Sequence, residues 1–342
     1  MKRIIILILS LGLFASGPVF SRDKTDTVWI SNGNQITGEI KKLEHGLLTL
    51  KTDYMGEVKI EWTDVLRVES NYAFQLEKTD GTRVTGRIQE STEPGMIVVG
   101  YLQQNVTFEA ANVVRISQIE DTFFDRLKGS LSMGYSFTKA SDVAQGNFSF
   151  SATHRTEIRA LTLQGSTIST STAQGVPSRR ANASFGMTRF RRDRWYNTYQ
   201  LGFEQNDELG LDLRTSLEAA LGRYLVQTNT SELGALAGLV GTNELLQGDV
   251  QSQQNLEGLL GVEYSRYIYN DPKLDLTASL YAYPSITESN RVRAQFDVAL
   301  KWEIYKDLFW NLSYYNTYDS NPASGSETTD DYGVVTSVGW SF

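Results

Sequence analysis

A chain of 342 residues has room for two domains, or for one domain beside a large barrel. Its 40 acidic and 32 basic residues leave a net charge of −8, which is no footprint for nucleic acid, a partner that calls for clustered basic charge. With no cysteine, disulfides and thiolate metal sites are excluded too, and the composition suits an oxidising compartment.

The first element in chain order is a leader. Lys2 and Arg3 precede an apolar run from Ile4 to Phe14, and Val19-Phe20-Ser21 offers a cleavage site. Residues 1–21 read as a secretory signal peptide. After Ser21 no stretch approaches the ~18 apolar residues of a spanning helix. The mature protein is therefore expected to be exported without a transmembrane helix.

Residues 22–120 repeat themselves at an offset of 48, with copies at about 26–70 and 71–118. Gly33, Ile36, Thr37, Gly38 and Ile40 match Gly81, Val84, Thr85, Gly86 and Ile88; further on, Val58, Glu61, Val65 and Arg67 match Val106, Glu109, Val113 and Arg115. Asn32-Gly33 and Asp80-Gly81 are hairpin turns, because glycine accepts positive φ at little cost. The expectation is two small β-units, SH3-like in plan, packed together as a periplasmic domain. The matched Glu and Arg residues are expected on exposed strand surface.

After a linker at 121–126, residues 127–342 change character. Alternating segments of about ten residues are separated by polar turns, the signature of a transmembrane barrel. In 292–302, Val292, Ala294, Phe296, Val298, Leu300 and Trp302 share one face, while Arg293, Gln295, Asp297 and Lys301 share the other. About twelve such strands fall near 127–138, 146–155, 157–168, 179–190, 195–205, 212–225, 231–241, 254–268, 273–284, 291–304, 307–318 and 332–342. In the third and seventh the alternation slips. Long connections follow the odd strands and tight ones the even strands, as in barrels with short periplasmic turns and longer outer loops. The fold class is thus all-β: an antiparallel transmembrane barrel of about 12 strands behind a small duplicated β-domain. Tyr332, Val338, Trp340 and Phe342 lie on one face of the last segment, a pattern suited to closing the barrel and to recognition by the insertion machinery.

Charges on the polar faces are expected in the lumen: Arg214, Glu218, Glu257, Glu263, Asp275, Arg293, Asp297, Lys301 and Glu303. Either they structure a channel electrostatically or they pair and fill the barrel. Mixed signs on adjacent strands favour pairing and a narrow or closed lumen. The chain has two histidines, His45 in a turn and His154 with the parity of Phe148 and Phe150, facing lipid. Neither has a serine or carboxylate partner legible in sequence, so no catalytic residue is assigned. Asp319, Glu327, Asp330 and Asp331 lack EF-hand spacing and read as solvated loop charges, so no metal or other cofactor is assigned.

The segment LKGSLSMGYSFTKASDVAQGNFSFS and the ending YGVVTSVGWSF resemble the salt-induced outer-membrane proteins, the YdiY-like family with domain of unknown function 481. The resemblance spans about 125–342 and implies an outer-membrane barrel, with expression tied to salt stress in some members. It supplies no catalytic residues. The function expected is a non-enzymatic barrel in envelope adaptation, with a narrow channel for ions or small polar solutes as the alternative and an outer-membrane enzyme a more distant one. The expected partners are outer-membrane lipids, the insertion machinery and an unidentified periplasmic partner of the repeat domain.

Overall fold

The computed structural model describes residues 23–342 except 102–103, 120–122, 124–125, 139–142, 157, 173–176, 249–250, 270–272, 306, 322–328 and 342. The signal peptide thus lies outside the described residues. No helix among them is long and apolar enough to cross a membrane.

Ten short strands build the front: β1 (Asp26–Ile30), β2 (Gln35–Glu44), β3 (Leu47–Lys51), β4 (Glu57–Glu61), β5 (Val65–Glu69), β6 (Ala73–Lys78), β7 (Arg83–Gln89), β8 (Met96–Tyr101), β9 (Gln104–Glu109) and β10 (Val113–Gln118). The two halves follow one path. Consecutive hairpins run β1–β2–β3–β4 and β6–β7–β8–β9, and the first strand of each half also pairs with its last. A single 3-10 turn precedes each last strand, at Trp62–Asp64 and Ala110–Asn112.

The halves do not keep separate cores. The end of β2 pairs with β10 at Leu43↔Ile116, making one sheet continuous through both. Returning bonds join the other side, where Ser70 N donates to Ile88 O at 2.7 Å and Gly95 N to Leu66 O at 2.8 Å. The indole Nε1 of Trp62 donates to Ala110 O at 2.7 Å, reaching the residue 48 positions on, its own counterpart in the other half. Val28, Ile40, Leu50, Phe74, Ile88 and Ile97 belong to one buried cluster. Five short strands bury too little apolar surface alone, and merging the halves supplies the missing core.

Twelve strands follow: β11 (Leu127–Thr138), β12 (Val143–Arg155), β13 (Arg159–Thr172), β14 (Ser178–Phe190), β15 (Trp195–Asn206), β16 (Leu211–Gln227), β17 (Ser231–Leu246), β18 (Gln253–Ile268), β19 (Leu274–Pro284), β20 (Val292–Tyr305), β21 (Leu308–Asp319) and β22 (Asp330–Ser341). They form one closed antiparallel barrel, sealed where β11 meets β22 from Ser130↔Ser341 to Met133↔Val338. Closure leaves no unpaired edge, the condition for a sheet to sit in hydrocarbon. The seventh strand slips in sequence because β17 is apolar on both faces: Leu239 points out, while Leu236 and Val240 pack inside with Leu259 and Tyr283. Outward positions form the apolar strip, with Leu217 67 % and Val338 50 % exposed.

Candidate functional site in the barrel lumen

Pairing register fixes which residues face inward. Arg214↔Glu204, Glu218↔Gln200 and Asp297↔Ser279 are directly opposed, so one strand's polar face continues on the next. At the end far from the front domain these faces converge on an ion-pair network. Buried Arg214 on β16 lies 2.7 Å from Glu204 on β15 and 2.7 Å from Glu244 on β17. It also lies 3.8 Å from Asp319 on β21, across the ring from β16. Arg291, just before β20, joins Asp319 at 2.6 Å and Glu244 at 2.9 Å.

A second crossing lies alongside. Arg180 on β14 reaches Asp331 on β22 at 3.2 Å and the Thr317 hydroxyl on β21 at 2.7 Å, with its guanidinium stacked 4.1 Å over Tyr315. Asn206 Nδ2 donates to the same Asp331 carboxylate at 2.9 Å. Arg293 on β20 grips fully buried Glu257 on β18, with Nε donating to Oε1 at 2.8 Å. A buried charge left without a partner costs several kcal/mol, so these groups hold one another in place. Arginine suits the task because its planar fork can bind a carboxylate through two parallel bonds.

Arg214, named from the sequence, thus lies in the network, and Glu257 and Arg293, also named, form a separate pair. Arg180, Glu204, Glu244 and Arg291 were not named. Inward parity could have found Arg180 and Glu204, whereas Glu244 lay beyond the expected end of its strand. Asp319 and Asp331, expected as solvated loop charges, are instead engaged by arginines; Glu327 lies outside the described residues. Among the described residues no group of His, Asp or Glu is arranged to hold a metal.

The other named charges sit apart from the network. Glu218 follows Arg214 down the inward face of β16 and lies near Arg293 and Glu257. Tyr281 OH donates to Glu263, and Gln295 Nε2 donates to Asp297 at 2.6 Å. Toward the front domain, Lys301 donates to Ser341 Oγ at 2.6 Å, Glu303 pairs with Lys273 at 3.0 Å, and Asp275 stands opposite Lys301.

Inside the barrel, aromatic rings lie over glycines on the neighbouring strand. Tyr196, Tyr281, Tyr315 and Phe309 are directly opposed to Gly222, Gly261, Gly333 and Gly339. A Cβ on any of these glycines would come within 3.0 Å of its ring, so glycine is what lets the ring lie flat. This packing fills part of the lumen. Inward Gln164 and Asn182 remain exposed, marking solvent space along β13 and β14.

The front domain touches the short-turn end. The His45 ring, in a left-handed turn with φ 51°, stacks on Tyr267 with centroids 3.9 Å apart. Burial pushes its pKa down to about 4, against the opposing pull of Glu232. Asn229 Nδ2 donates to Val113 O at 3.1 Å, Arg115 lies 3.9 Å from Glu232, and Lys128 pairs with Glu44. Arg115 is therefore not the exposed strand residue expected from the repeat; the barrel's own mouth covers it. His154 keeps outward parity, but Phe123 stacks on it at 4.3 Å and leaves it 9 % exposed, so it is shielded from lipid. On the closing strand Tyr332, Val338 and Trp340 point outward, Trp340 opposite Leu131 and 59 % exposed; Phe342 lies outside the described residues.

No curated protein matches the chain. Among solved structures it is similar to the translocator domain of autotransporter NalP from Neisseria meningitidis, at 13% identity and TM-score 0.36 over 63% of this chain and 87% of that one. It is also similar to the beta domain of the Bordetella autotransporter BrkA, at 9% identity and TM-score 0.33 over 63% of this chain and 97% of that one. A bacterial polysaccharide outer membrane secretin aligns at 8% identity and TM-score 0.33 over 79% of this chain and 96% of that one. The family model described as "Protein of unknown function, DUF481" matches residues 131–339, from the first barrel strand to the last. That match covers more than half of the chain, which belongs to the DUF481 family.

Proposed function

We propose that this protein is a non-catalytic outer-membrane barrel with a periplasmic front domain, whose lumen is held shut and whose role is envelope adaptation under salt stress. The observation that carries the reading is the pair of cross-lumen ion contacts, Arg214 with Asp319 and Arg180 with Asp331. Because Arg214 and Asp319 are buried and Arg180 and Asp331 are mostly covered, salt screens them less than surface pairs, and the closure is suited to persist at high ionic strength. The salt-stress role follows from the family resemblance. The common five-strand path of the two front halves supports an SH3-like unit that was duplicated. Outer-membrane lipids would cover the outward strip, and the insertion machinery would read Tyr332, Val338, Trp340 and Phe342. A periplasmic partner of the front domain completes the partners; no cofactor is invoked.

The alternative is a narrow channel for ions or small polar solutes, favoured by the exposed inward amides of Gln164 and Asn182. Cell fractionation with surface labelling tests the location. The chain should be recovered in the outer membrane as a heat-modifiable band. A tag at residue 248 should be accessible on intact cells, and a tag at 193 should not. Inverted labelling would overturn the orientation. Growth of a deletion strain that is unimpaired at raised salt would overturn the adaptive role.

A further inference from the structure

Where the front domain meets the barrel, a cavity of about 50 Å³ is lined by five cations and one carboxylate. Lys42 and Arg115 come from the front domain, Arg126 from the linker, Lys128 and Arg155 from the barrel, and Glu44 is the acid. Lys42 and Lys128 stand side by side, and Lys128 pairs with Glu44. Arg115 shares its charge among Glu44 at 2.9 Å, Glu77 at 3.6 Å and Glu232 at 3.9 Å. Arg155 lies over the Phe190 ring at 3.8 Å, and its Nε–H is buried without an acceptor; the Arg115 Nε–H makes no hydrogen bond either, with the Glu77 carboxylate 3.6 Å away. Ser117 and Thr156 also line the space.

Converging cations repel strongly at low dielectric, and buried donors without acceptors are costly. One negative group with several acceptor oxygens would relieve both. Guanidinium forks match tetrahedral oxyanions better than a spherical halide, and the cavity is of a size for one such group. We infer that this junction binds a single phosphate group, held jointly by the front domain and the barrel. The same chemistry could reach the site as free orthophosphate or as the head of a phosphomonoester lipid.

Calorimetric titration of the full chain in non-ionic detergent tests this, using sodium phosphate against sodium chloride of equal ionic strength. Saturable one-site binding is expected for phosphate only. Arg155→Gln, verified as folded by its heat-modifiable band, should weaken that binding about 10-fold or more, the loss expected for charge-assisted hydrogen bonds. Arg266→Gln, on the rim and bonded to Thr230 and Ser231, should leave it unchanged. Short-chain phosphatidate that displaces orthophosphate would assign the site to a lipid head, and failure to displace it would assign the site to the free anion. Phosphate heats no different from chloride, or an Arg155→Gln titration identical to wild type, would overturn the site.

Discussion

The front domain and the barrel are written in the same alternating code with opposite meanings. In the front, the apolar face of each strand turns inward: Phe74 is 0 % exposed within a core shared by both halves. In the barrel the apolar face turns outward, and Phe185 is 50 % exposed on the strip assigned to lipid. Solvent lies outside the first region, whereas in the second exposed polar side chains also point inward. Alternation alone therefore does not say which face is a core; segment length, closure and the company of arginines inside the ring do.

The comparison breaks most sharply at those two phenylalanines. Phe74→Ala should cost the front domain about 3–5 kcal/mol, the usual penalty for truncating a buried aromatic residue. Urea unfolding of residues 22–120 should report it as a lower midpoint, and the segment itself should be soluble and β-rich. Phe185→Ala should scarcely change barrel assembly.

A smaller effect separates the two faces of the barrel. Leu217→Arg places a charge on the outward strip and should cost about 2–4 kcal/mol if it lies near the bilayer midplane. The heat-modifiable fraction in the outer membrane should fall. Gln164→Arg on the inward face, where solvent already reaches, should assemble normally. Equal loss for both would mean that the lumen is as apolar as the exterior.

The smallest expected effect lies where the regions meet. His45 has its pKa lowered to about 4 from an ordinary 6.5 by burial at the junction. Undocking therefore takes up a proton between those values, so the contribution of His45 to docking is complete above pH 6.5 and fades as pH falls toward 4. His45→Asn, which tolerates the left-handed turn, should flatten that part of the stability–pH curve. An unchanged curve would remove His45 from the junction.

Much of this was legible in sequence because it is local. The offset of 48 residues marks equivalent strands, and the barrel segments announce themselves by alternation and turns. What was not legible depends on partners distant in sequence. The pairing of β10 with β2, which fuses the front halves, leaves no local trace. Arg214 meets Asp319 only because the sheet closes on itself, and Asp319 read as an ordinary loop-edge acid. Likewise Arg115 looked exposed until the barrel mouth was set against it. Parity could name the faces, but only closure could name the contacts across the lumen.

Planar-bilayer conductance of the purified full chain tests the closed lumen most directly. Wild type should be silent, and the double variant Arg180→Ala, Arg214→Ala should open in discrete steps, because both cross-lumen contacts are then lost. Steady wild-type conductance equal to that of the double variant would contradict the account.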